Sequence, residues 1–181
     1  MKPICIKVLT TTISSLAMAV SLASTSIAAH AEDTVADAIK NGTAKLSFRL
    51  RYEDVNDDAA GKEDADALTL RSRITLKSAE FKKLSALLEV DDVTALGDKD
   101  YNDLVNGKSQ YATIADPEGT EVNQAYLAYS GVENTTVKWG RQRILLDNQR
   151  FIGGVGFRQN EQTYDAFSVT NTSLADTTLF Y

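Results

Sequence analysis

From residue 44 onward the chain repeatedly sets apolar residues against polar ones with a period of two, in runs of roughly 10 residues. In the first run Ala44, Leu46, Phe48, Leu50 and Tyr52 share one face, and Lys45, Ser47, Arg49, Arg51 and Glu53 share the other. The second sets Leu68, Leu70, Ile74 and Leu76 against Thr69, Arg71, Arg73, Thr75 and Lys77, with Ser72 the only lapse. A third runs through Leu84, Ala86, Leu88 and Val90, opposite Ser85, Glu89 and Asp91, with Leu87 off the pattern. Such alternation gives each strand one greasy face and one wet face. It fits a soluble sandwich as well as a membrane barrel.

Length and connectivity separate the two. A tilted strand needs about 9 to 11 residues to cross the hydrocarbon layer. The connections also alternate, with long segments at 55–66 and 95–119 and tight turns at 78–82 and 130–134. Long loops on one side and short turns on the other are characteristic of transmembrane barrels. Fainter strands are expected over 121–129, 135–142, 163–171 and 177–181. Thr34 to Lys40 reads as a short helix capped by Asp33 or Thr34 and stopped by Gly42.

The amino end has the grammar of an export signal. Lys2 and Lys7 precede an uncharged stretch from Val8 to Ile27, and Ala29-His30-Ala31 supplies small residues before Glu32. The domain expectation is therefore a signal peptide at 1–31, a short periplasmic segment at 32–42, and a β-barrel portion at 43–181. Cys5 and His30 are the only cysteine and the only histidine, and both fall inside the signal. The exported part thus lacks a thiol nucleophile, a histidine base and a Cys/His metal set. No cofactor is expected, and no enzyme. Loss of Lys2 and Lys7 takes the net charge from −6 to −8, a poor balance for a nucleic-acid binder.

Other motifs fail on inspection. Asp98 to Asp103 opens like a calcium loop, but Asp103 replaces the required glycine and Ser109 stands where the bidentate glutamate belongs, so a solvated acidic loop is expected. Asp91 and Asp92 are neighbours on a strand and point to opposite faces, so they form no acid/base pair.

The basic residues concentrate on the wet faces. On the first two strands Lys45, Arg49, Arg51, Arg71, Arg73 and Lys77 meet one acid there, Glu53. Lys138 joins them on the fifth strand. The phase of that strand turns Arg141 toward lipid unless a bulge or a strand end intervenes. Arg143, Arg150 and Arg158 follow in a stretch containing Gly153, Gly154 and Gly156, and the region from Ile144 to Glu161 is expected to fold back into the lumen. Arg49, Arg51, Arg71, Arg73, Lys138, Arg141, Arg143, Arg150 and Arg158 are the expected pore-lining set. Two readings stay open: a basic conduit that lowers the barrier to anions, or Arg–acid pairs that keep the wall solvated.

The stretches Ala67 to Arg73, Gly140-Arg141-Gln142, Asp147 to Gly153 and Phe157 to Ala166 resemble the alginate-export family of Gram-negative outer-membrane porins. That resemblance implies an antiparallel barrel of about 16 to 18 strands with an aqueous lumen, reached through a cleaved signal and barrel-assembly machinery. It implies lipid as a partner and passive diffusion of hydrophilic, in some members anionic, solutes. Seven strands at most are present here. The expectation is an incomplete, amino-terminal part of a longer barrel that does not conduct by itself. The alternative is a secreted periplasmic β-sandwich that binds a carbohydrate or a protein partner.

Overall fold

The computed structural model describes residues 34–57 and 61–181. The expected signal peptide, with Cys5 and His30, and the cap candidate Asp33 lie outside the described residues. Helix α1 (Val35–Lys40) starts at Thr34, whose Oγ1 accepts the Asp37 N–H at 3.1 Å. Ala38 of this helix is buried, and its carbonyl accepts the Ala79 N–H at 2.8 Å. Gly42 then turns the chain. A Cβ at this position would lie 2.5 Å from the Lys77 carbonyl, so glycine is required by close approach.

Seven strands follow: β1 (Thr43–Val55), β2 (Ala65–Lys77), β3 (Leu84–Ala95), β4 (Gly119–Val132), β5 (Thr135–Gln142), β6 (Tyr164–Asn171) and β7 (Leu179–Phe180). They form one antiparallel sheet in sequence order. The all-β expectation holds, and no described helix is long and apolar enough to cross a membrane. The first four strands are 12 to 14 residues long, more than the alternation alone had marked.

The two faces differ as the alternation requires. Leu46, Phe48, Leu50, Tyr52, Leu88, Leu127, Trp139 and Phe167 all lie on the apolar face and are 41 to 67 % exposed. Nothing among the described residues covers them. Burial occurs on the polar face instead, because two of the long connections fold over it.

One is the β3–β4 connection. Its Tyr101, Ala112 and Ile114 pack with Ala65 and Ala67 at the start of β2 into the small apolar core. Backbone bonds pin it there, Glu63 N–H to Gln110 O and Ala112 N–H to Glu63 O, both at 2.9 Å. The expected solvated loop at 98–103 is therefore corrected at Tyr101 and Asp103, while Asp98 and Lys99 are exposed. Asp103 is buried and its carboxylate caps the Val105 and Asn106 N–H groups at 2.8 and 2.7 Å. The second connection, 143–163, builds the site.

Candidate functional site

Register sets up an electrostatic problem on the polar face. Arg49 stands directly across from Arg71, and Ser47 across from Arg73. Like charges in such positions repel, and half-burial removes the water that would screen them. Carboxylates from β3 and from the 143–163 segment answer this. Asp91, directly opposite Arg73, receives a two-pronged guanidinium contact with both distances 2.6 Å. Glu161 reaches Arg73 at 2.9 Å and Arg71 at 3.3 Å, and it accepts Arg143 Nε–H at 2.7 Å. Glu89 lies 3.0 Å from Arg143 and 3.7 Å from Arg73.

A bulge in β4 completes the shell around Glu89. Pairing passes from Glu89↔Gln124 to Val90↔Val122, which leaves Asn123 as the extra residue. Asn123 and Gln124 consecutively face the same side, and each donates its side-chain amide to Glu89 Oε1 at 2.9 Å. Thr75 adds a hydroxyl at 2.7 Å. Burial by itself raises the Glu161 carboxyl, but Arg73 and Arg143 more than reverse this and hold it below the ordinary glutamate range.

Residues 156–161 lie against β1 and β2. Arg49 donates to the carbonyls of Gly156, Phe157 and Arg158, and to Gln159 Oε1 at 2.9 Å. Gln159 is fully buried, and its amide donates to Thr69 Oγ1 at 2.9 Å and to Thr69 O at 3.1 Å. Its backbone N–H donates to Asp116 Oδ1 at 2.7 Å, which ties the two infolded connections together. Glu53 takes Arg51 at 2.5 Å and Arg158 at 3.0 Å, and both guanidiniums flank the Phe157 ring.

The alginate export family model matches residues 42–177, more than half of the chain and every strand up to β6. The chain belongs to the alginate export family. Among curated proteins, no match was found. Membership places it in general among export channels of the Gram-negative outer membrane, in a family of transport proteins rather than enzymes. Among the described residues no group of three or more His, Cys, Asp or Glu is placed to hold a metal.

In this family member, six of the nine expected site residues come together in one network: Arg49, Arg51, Arg71, Arg73, Arg143 and Arg158. Lys138 lies on the same face but apart, its ammonium 4.9 Å from the centre of the Tyr126 ring. Arg150 stays exposed on the connection, against Phe151. Arg141 is corrected: it keeps phase with Trp139 on the apolar face, with no bulge in the β5–β6 pairing. There Asp165 holds it through two bonds of 2.9 Å. This pair lies one step beyond the Trp139–Phe167 row, toward the long-loop end of the strands.

The pairing of these arginines with acids extends well beyond Glu53. Glu53, Glu89, Asp91, Asp116 and Glu161 balance the six arginines almost one for one. Glu89 and Asp91 were legible as polar-face residues two apart, matching the spacing of Arg71 and Arg73. Gln159 carried no signal, since its role depends on where a long connection lands.

Proposed function

We propose that the protein is an outer-membrane channel that passes small hydrophilic solutes by passive diffusion, with its polar face lining the water-filled passage. The observation that supports this most is the division of chemistry between the faces. One is predominantly apolar and uncovered, the other charged and narrowed by segments 96–118 and 143–163. A β-sandwich would cover the apolar face with a second sheet, and among the described residues none does so. The unpaired edges of β1 and β7 cannot face hydrocarbon. Further strands therefore close the barrel, of which this chain contributes a part inserted by the assembly machinery. Short turns then face the periplasm and long connections the exterior.

The compensated network changes what the arginines do for selectivity. Six cations against five acids leave little net charge at this level, so the arginines chiefly hold the wall and its infolded segments. Lys45, Lys77 and Lys138, toward the short-turn end, supply the weak preference for anions. The test is the reversal potential of the intact protein in a planar bilayer under a salt gradient. Replacing the three lysines with Ser is expected to abolish a modest anion preference at low ionic strength, where screening extends beyond about 10 Å. No conductance from the intact protein, or a lysine-independent preference, would overturn this reading.

A further inference from the structure

Toward the short-turn end the polar face changes character. Among the described residues, Lys45, Lys77 and Lys138 have no carboxylate within the 4 Å of an ion pair, whereas five acids crowd the arginines above. Lys77 lies across from Leu87, and Leu87 across from Tyr126, the residue beneath the Lys138 ammonium. Next to them is an open-sided cavity of about 500 Å³ whose walls include Leu87, Tyr126, Lys138, Leu145, Leu146 and Phe180. Leu87, the lapse in the third run, is thus an apolar residue placed on a polar face beside an unneutralised cation.

Polar groups also line the cavity, but most are already engaged. Gln142 is buried, donating to the Ala166 carbonyl at 3.0 Å and accepting from Ser168 at 2.7 Å. Gln124 serves Glu89 and the Arg143 N–H. Glu89 and Arg143 face each other at 3.0 Å. A polyhydroxylated guest would find few free partners, and desolvating its hydroxyls without replacement is costly. Lys138 is the cation left to meet an anion, with an aromatic face and leucines around it.

We propose that this cavity binds a small carboxylate with an apolar body, an aromatic monocarboxylate of the benzoate kind. The carboxylate takes the Lys138 ammonium, and the ring lies against Tyr126 and Leu87. The site deepens the channel reading on which it rests, placing a binding step for such solutes on the periplasmic side of the arginine network.

The experiment measures benzoate binding to the intact protein in detergent micelles by calorimetry, alongside its conductance in bilayers. Saturable benzoate binding is expected, with glucuronate, of equal charge but hydroxylated body, binding more weakly. Lys138→Gln should weaken benzoate binding about tenfold, the value of one charge-assisted hydrogen bond, and Lys138→Arg should restore most of it. Equal binding of the two probes, no binding of benzoate, or indifference to Lys138→Gln would overturn the site. Benzoate binding with the expected dependence on Lys138, but without conductance, would support the site and refute the channel.

Discussion

Glu161→Gln tests whether one carboxylate clamps the infolded segment to the wall. The substitution preserves shape and removes a charge that touches Arg71, Arg73 and Arg143. Removing one partner of a buried ion pair costs about 3 to 5 kcal/mol. The lower end applies here, because Arg73 retains Asp91 and Glu89, and Arg143 retains Glu89. Arg71 is left with the Gln159 carbonyl at 3.2 Å. About 3 kcal/mol at 1.4 kcal/mol per tenfold is about two orders of magnitude in the local opening equilibrium. The probe is hydrogen exchange at the Gln159 amide, which donates to Asp116 within a fully buried site. In micelles at neutral pH, exchange of that amide should accelerate about a hundredfold, with strand amides such as Leu127 unchanged. A change under about threefold would refute the clamp. Equal acceleration in β4 would show that Glu161 supports the whole sheet.

Two further outcomes follow from the same geometry. The Glu161 carboxyl titrates lower in the folded state than its unfolded value of about 4.3, so its contribution is complete above that value and is lost as pH falls through the folded one. Limited proteolysis should accordingly cut 156–161 faster as pH falls through the folded-state value than it does at pH 7, and cutting that does not change with pH would count against the assignment. Gly140 has φ +126°, and a Cβ there would press on the Ala125 carbonyl and lie 2.9 Å from Tyr126 Cα. Gly140→Ala should therefore lower stability by more than about 1 kcal/mol in urea unfolding from micelles, and an unshifted midpoint would refute the strain.

The sheet was readable because alternation is a local property. Leu46 to Tyr52 and Ile74 to Leu76 needed no knowledge of distant residues to declare their faces. Where alternation fails, the reason is tertiary. Asn123 and Gln124 face one way together because Glu89, on the neighbouring strand, accepts from both. Arg141 follows the strand's phase onto the apolar face because Asp165 is there to meet it. Tyr101 and Ile114 gave no period, because their burial depends on a long connection folding back onto Ala65 and Ala67. The arginines were found singly, while their counter-charges lie as much as 105 residues away, the separation between Glu53 and Arg158. That distance hides the balance of the network from any window along the chain.

The segment 156–161 is strung between β5 and β6 yet rests on β1 and β2, with Arg49 and Gln159 separated by 110 residues. Between β2 and β3 and between β4 and β5 the hairpins close short loops, at little cost in chain entropy. The grip of Arg49 on the Gly156, Phe157 and Arg158 carbonyls instead closes more than 100 residues of chain, at a larger entropic cost. The polar face is thus narrowed by a strap tied to strands far earlier in the chain. The hold of that strap is therefore separable in sequence from β5 and β6, the strands it joins.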